Sequence, residues 1–340
     1  MTDCGPVAKL RIATFNVESL GDQSESVAPL PERIAVLRPQ LVRLRADVVC
    51  LQEVDAEEVA GGERRLRALD EMVSDTPYKD FFRIASTSVH GPYPADRHNL
   101  VVLSRFPIER HLQMRHDIIA PFSYAPVTAT PRPASPVEVR FDRPLLYARI
   151  VLPGGQRLHV LNLHLRAPLA APIAGQKQSP LVWRSTQGWA EGFFLAAAKR
   201  AGQALEARLF IDRLLDEDAG GLVAICGDLN ADGGEVPVRL LLGSRDDTNN
   251  ETLTARALTA LELSLPPARR YSVLHAGRRV MLDHVLTSAA LTAALSGIEI
   301  HNEGLADEVL SHPETRRPAE SFHAPVVAEF HLPKLREAQK

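Results

Sequence analysis

Short apolar runs recur along the chain, each closed by polar residues or by glycine and proline. They lie at Arg11–Val17, Asp47–Gln52, Asn99–Ser104, Leu145–Leu152, Leu158–Leu163, Leu222–Cys226 and Val280–Leu286. Their length and β-branched content predict strands, covered on both faces where apolar and polar positions do not alternate. Between them three stretches carry helical spacing. Ile34, Leu37, Leu41 and Leu44 share one face of a helix that is bent or restarted at Pro39, because proline lacks an amide donor and crowds the preceding turn. Leu66, Leu69 and Val73 mark a second helix, and Ala201, Leu205 and Leu209 a third. Arg64, Arg65 and Arg67 read as a solvated helix face. Strands and helices mix throughout, without an internal repeat.

Two segments break this pattern. Pro121 to Pro144 is rich in proline, and Ala167 to about Gly192 carries prolines, glycines and both tryptophans, Trp183 and Trp189. Both are predicted as long surface loops. Trp183, Trp189, Phe193 and Phe194 either form an aromatic wall for a nucleobase or lipid, or pin the loop to the core. No linker with a shift in composition divides the chain. One domain is therefore expected over residues 9–332, with tails at 1–8 and 333–340.

Composition adds little to the fold but narrows the function. Hydrophobic residues at 45% and charged residues at 24% are ordinary globular usage, so 340 residues can bury a core without disulfides. A formal charge of -3 supplies no global basic field for nucleic acid, although a local groove stays open. Cys4, Cys50 and Cys226 are odd in number and far apart, and the last two sit in apolar runs as small hydrophobes. A reducing compartment follows. Neither a signal-like apolar stretch in Met1–Lys9 nor a run of about twenty apolar residues is present. A soluble, cytoplasmic protein is expected, of unassigned oligomeric state.

Candidate chemistry lies where the apolar runs end. Asn16, Glu53, Asn162, His164, Asp228, Asn230 and Asp283 stand within or just beyond such a run, and His323 precedes the apolar Pro325-Val326-Val327. Strand ends of this kind project side chains into a shared crevice. A lone strand-end Asp or Asn is ordinarily a turn or cap, and a lone His a hydrogen-bonded core residue. Together they supply hard oxygen ligands and two imidazoles without a thiolate, which suits Mg²⁺ or Mn²⁺ and phosphate instead of structural zinc. Asp228-Leu229-Asn230-Ala231-Asp232-Gly233 also copies the start of an EF-hand loop, but its twelfth position is Arg239 and a strand-like run precedes it. That reading fails. His111 and His116 lack further ligands nearby, and Gly61-Gly62 lacks the Gly-Lys-Ser/Thr of a phosphate loop.

The strings TFNVES, VVCLQEVD, HNLVVLSRFPI, LNLHL, CGDLNAD, LDHVL and SFHAPVVAEF occur in this order from Thr14 to Phe330. Their order resembles the motifs of the endonuclease/exonuclease/phosphatase superfamily, which is related to DNase I, AP endonucleases and inositol phosphatases. The resemblance implies an α/β fold, a four-layer sandwich of two packed β-sheets flanked by helices, with the site at one rim. It implies metal-dependent hydrolysis of a phosphodiester or phosphomonoester. The substrate is then a nucleic acid, or a small-molecule or lipid-headgroup phosphodiester. In that family pattern Glu53 is the main metal ligand, joined by Asn16 directly or through water. Asp228 and Asn230 orient the attacking water and the phosphate. His164 contacts the scissile phosphate or protonates the leaving oxygen, and Asp283 orients His323. Asn99, Asn162 and Arg166 are candidate substrate contacts. One departure stands out: the last motif usually reads Ser-Asp-His, and here it is Ser321-Phe322-His323. The missing carboxylate implies a weaker second-metal environment and a less charged His323. The alternative is a phosphate-ligand-binding member of the fold with weakened catalysis.

Overall fold

The computed structural model describes residues 8–21, 24, 28–59, 61–310 and 318–333. Twelve principal strands follow the apolar runs. They are Ala8–Leu20 (β1), Val48–Val54 (β2), Phe82–Ala85 (β3), Asn99–Ser104 (β4), Ile108–Met114 (β5) and Leu145–Val151 (β6). The rest are Arg157–His164 (β7), Leu222–Asp228 (β8), Leu258–Ala260 (β9), Asp283–Ser288 (β10), Leu295–Ile300 (β11) and Val326–Leu332 (β12). They form two six-stranded sheets, ordered β11-β12-β1-β2-β4-β3 and β9-β10-β8-β7-β6-β5.

Period-two alternation explains the layers. Ile12, Val48, Cys50, Leu100 and Val102 of the first sheet pack on Ala148, Val160, Ala224, Cys226 and Val285 of the second. Their neighbours Ala13, Phe15, Val49, Leu51 and Val101 face the other way, onto the helices Leu30–Leu44 (α1) and Arg67–Val73 (α2). Tyr147, Leu161, Leu163, Val223 and Ile225 likewise face Thr186–Glu217 (α3) and Val236–Leu242 (α4). The result is the expected four-layer sandwich. Both faces of β2 and β4 are covered, which is why neither run alternates in the sequence. Cys50 and Cys226 meet across the middle layer as unpaired buried thiols, and burial pushes the Cys50 thiol up. Among the described residues no helix is long and apolar enough to cross a membrane. Cys4 lies outside the described residues.

Four local expectations are corrected. Pro39 does not restart α1, which runs unbroken through it. Pro39 is exposed, so the carbonyl it leaves without a donor turns toward water. In α3 the buried stripe is Gln203, Ala204, Ala207, Ile211, Leu214 and Leu215, while Leu205 and Leu209 point outward. Small alanines let the helix approach the sheet closely, so the leucine periodicity marked the wrong face. The two long loops contain structure: Phe122–Tyr124 pairs with Val137–Val139, and Lys177–Ser179 with Val182–Trp183. Helix α3 begins at Thr186, capped by Ser185 Oγ, which accepts the Gly188 amide. Arg64–Arg65 forms a short strand against Glu57–Glu58, not a helix face.

Each sheet is mostly antiparallel but has one parallel pair at its centre, β1 with β2 and β7 with β8. Parallel partners end on the same side. Asn16 lies beside Gln52, His164 beside Asp228, and Asp228 beside Asp283 on antiparallel β10. All the strand-end polar residues are thereby delivered to one rim.

Candidate active site

The two central strands of the first sheet bend at that rim. Pairing of β1 slips between Asn16 and Leu20, where Glu18 and Ser19 take φ of 48° and 53°. Pairing of β2 with β4 slips between Leu51 and Val54, and Glu53 has φ 59°. Left-handed backbone at non-glycine residues is costly, and bulges of this kind re-aim side chains. Here they turn Glu18, Ser19 and Glu53 into a cavity of about 670 Å³ between the sheets. On the other side Gly227 has no alternative: a Cβ there would lie 1.9 Å from the Leu163 carbonyl. That close approach sets Asp228 against His164.

Asp228 is held on both oxygens. Oδ1 accepts the Asn230 amide at 2.8 Å, and Oδ2 accepts the side-chain amides of Asn16 at 3.1 Å and Asn230 at 3.2 Å. His164 Nε2 lies 3.4 Å from Asp228 Oδ2 and 3.6 Å from Glu53 Oε1. Glu53 meets only long contacts, from Asn16 at 3.3 Å, Ser19 at 3.2 Å and His98 at 3.4 Å. Opposite, His323 Nδ1 is 2.8 Å from Asp283 Oδ2, and its Nε2 lies 4.0 Å from Asp228 Oδ2. Arg143 and Arg166 complete a cationic wall.

The two histidines differ electrically. Burial, with Arg143 nearby, holds His164 well below its ordinary range, so it is neutral. Burial acts on His323 too, but Asp283 and Asp228 outweigh it and hold the ring well above its ordinary range. Burial likewise opposes ionisation of Glu53, yet the His98 hydrogen bond and the Arg143 charge act to keep it well below the usual carboxylate range. Asp228 is pushed up, chiefly by burial.

Phe322 has an acidic neighbour that the motif comparison did not include. Glu18, from the β1 bulge, lines the same cavity and accepts the Phe322 amide on Oε2 at 2.8 Å. A carboxylate therefore stands beside the Ser-Phe-His segment, delivered by another strand. The raised His323 is owed mainly to Asp283 and Asp228, with Glu18 adding a smaller push in the same direction.

Other candidates are reassigned. Asn162 does not reach the cavity. Its amide donates to the Leu51 and Val101 carbonyls at 2.9 Å, and its oxygen accepts Gln52 Nε2 at 2.7 Å. It clamps the two sheets together beneath Glu53. Asn99 is spent on the Val54 and Ala95 backbone. Asn16 turns its amide nitrogen to Glu53 at 3.3 Å, and its oxygen accepts the Glu18 amide at 2.9 Å, so it braces the bulge beside Glu53. Arg166 lines the cavity mouth, 3.4 Å from Asp142. Trp183 joins the small apolar cluster of Ala171, Ile173 and Leu195, and neither Trp183 nor Trp189 lines the cavity. His116 is stacked on Phe141, its ring also bonded to the Ile119 carbonyl and the Phe141 amide, which makes it structural. Glu18, His98 and Arg143 were missed. The first two sit inside the TFNVES and HNLVVLSRFPI strings, whereas Arg143 carries no sequence signal.

The donor set fits a hard divalent cation. Glu53, His164 and Asp228 bring donor atoms within 4.8 Å of one another, as do Asp228, Asp283 and His323. Carboxylates dominate, no thiolate of the described residues is near, and the Glu53 contacts are long enough to leave its oxygens open to a metal. Asp283 Oδ1 is buried without a hydrogen-bond partner.

The model of the Endonuclease/Exonuclease/phosphatase family matches residues 13–307. The chain belongs to that family. Members of the Endonuclease/Exonuclease/phosphatase family are phosphoesterases, so phosphate-ester hydrolysis is the chain's general class. No curated protein sequence matches it. Solved structures share the fold at low identity. The endonuclease/exonuclease/phosphatase from Bacteroides vulgatus is 14% identical at TM-score 0.56, over 96% of this chain and 99% of that one. The corresponding protein from Beutenbergia cavernae is 19% identical at TM-score 0.52, over 95% and 72%. The 3' phosphatase NExo from Neisseria, solved with a product DNA hairpin, is 18% identical at TM-score 0.52, over 94% and 99%.

Proposed function

We propose that this family member hydrolyses a phosphodiester or phosphomonoester with Mg²⁺ or Mn²⁺, over one domain spanning residues 9–332. The observation that carries this reading is the meeting of Glu53, His164, Asp228 and the Asp283–His323 pair in one cavity walled by Arg143 and Arg166. Glu53 would hold the cation with Asp228 or His164 beside it. When bound, the cation supplies charge neutralisation at the phosphate oxygens and acidifies a coordinated water.

The chain's own residues do the rest. Asp228, fixed by the Asn16 and Asn230 amides, orients the attacking water in line with the leaving oxygen and accepts its proton. Neutral His164 contacts the phosphate. Cationic His323, its ring set by Asp283, donates its Nε2 proton toward the leaving oxygen. Arg143 and Arg166 hold the phosphate charge. Glu18, whose side chain accepts the Phe322 amide in the same cavity, favours hydrolysis over a binding protein with weakened catalysis. The charge of -3 gives nucleic acid no particular support over a small-molecule or lipid-headgroup ester. The buried free thiols of Cys50 and Cys226 fit a reducing cytoplasm.

Asp228→Asn tests the assignment. Turnover of a simple aryl phosphodiester should fall by roughly 10²-fold or more in kcat with little change in KM or melting temperature. Near-normal kcat, or a variant that only unfolds, would make Asp228 structural.

A further inference from the structure

The first turns of α3 and the hairpin before it present an apolar face that the cavity does not use. Trp189 and Phe193, one turn apart, stack with ring centroids at 5.5 Å yet remain 44% and 38% exposed. Phe194 beside them is 52% exposed, its ring 5.6 Å from that of Tyr124. At the hairpin turn Leu181 is 91% exposed, and Leu169 at the cavity mouth is 68% exposed.

Packing holds the segments that carry these residues side by side, and together they form a ridge. Trp183 of the hairpin lies against α3 at Gly192, where an added Cβ would come within 2.8 Å of its ring. The Ala171 amide donates to the Gly192 carbonyl, which ties the segment carrying Leu169 to the same turn. Exposed apolar surface of this extent ordinarily marks an interaction site.

Charge indicates what covers it. Lys177, Arg184 and Arg132 flank the ridge and donate to the backbone carbonyls of Pro180, Lys177 and Val127. Among the described residues none of the three has a carboxylate at ion-pair distance. The neighbouring acids are engaged. Glu191 is buried, accepting from Tyr124, Val127 and Thr128, while Glu138 pairs with Arg140 and Asp142 with Lys199. An apolar crest with uncompensated cations at its flanks matches a lipid interface, where apolar side chains enter the acyl boundary and cations stay among anionic headgroups. Single-stranded nucleic acid also seeks cations and rings. Leu181, Val182 and Leu169 offer it nothing to stack on, so much of the face would be idle against bases but not against acyl chains.

We propose that this ridge is a docking surface that seats the chain on an anionic phospholipid bilayer. The proposal goes beyond the hydrolytic reading and does not require it. Sedimentation of the full chain with phosphatidylcholine vesicles, with or without phosphatidylserine, tests it in the presence of chelator, where no turnover contributes. Binding should depend on phosphatidylserine. Combined Trp189→Ala and Phe193→Ala should abolish it at unchanged melting temperature. Combined Lys177→Ala and Arg184→Ala should weaken it about 30-fold, from about 1 kcal/mol per cation at an anionic surface. Absence of vesicle binding by the wild type, or undiminished binding by the variants, overturns the proposal. So does oligothymidylate binding that the same variants remove while vesicles are ignored. A wild-type dimer in light scattering that the aromatic variant dissociates would assign the ridge to a second copy instead.

Discussion

The carboxylate of Glu18 reaches the cavity because β1 bulges there, and burial raises its pKa above the usual carboxylate value. Phe322, only 5% exposed, packs where the usual motif has an acid. The motif's charge and its packing are thus divided between two strands. Glu18→Gln should raise the metal concentration for half-maximal turnover by roughly 10-fold, as loss of a supporting carboxylate does. Phe322→Asp should not improve activity. It removes a buried ring, worth about 3–5 kcal/mol in such sites, and places a second carboxylate next to Glu18. Metal-dependent kinetics and melting curves on both variants check this. A Phe322→Asp protein that melts like wild type and turns over faster would contradict the division of roles.

At the scale of elements, the loop that follows β8 is held by a buried ion pair behind the site. His284 of β10 bonds Glu262 through Nδ1 at 2.6 Å and the Ala231 carbonyl through Nε2 at 2.9 Å. Burial disfavours the charged ring, but Glu262 and that carbonyl outweigh it and push His284 up to about 9. The folded value lies above the unfolded value of about 6.5, so the pair's stabilisation is fully present below pH ~6.5 and is lost as pH rises through about 9. His284→Gln should therefore lower the melting temperature most at pH 6, with the gap to wild type closing toward pH 10. Melting curves across that range decide; a constant gap would mean that His284 is uncharged in the fold. Elements of this kind also show what the sequence could reveal. Continuous apolar runs located the strands because both faces are covered. The α3 face was misread because alanines, not leucines, meet the sheet. The two hairpins escaped notice because two or three pairs leave no periodic signal.

For the whole molecule, function depends on the central parallel pairs of both sheets ending at one rim. That explains why Glu53, His164, Asp228, Asp283 and His323 drew notice together: each stands in or beside an apolar run, and the fold gathers those strand ends. Asn99 and Asn162 satisfied the same criterion, yet a strand-end amide serves equally well as a clamp, and only tertiary partners distinguish the two. Arg143 was illegible because it arrives from a proline-rich loop distant in sequence from everything it faces. This rim is proposed to hold a divalent cation through Glu53 and to use it on a phosphate ester. The most direct test is a titration of chelator-stripped protein with Mg²⁺ or Mn²⁺, following hydrolysis of an aryl phosphodiester by wild type and Glu53→Gln. The wild type should be inactive without metal and recover saturably, and the variant should stay roughly 10²-fold lower or worse at any metal concentration tested. Full turnover by metal-free wild type, or a Glu53→Gln titration that overlays it, would contradict the claim.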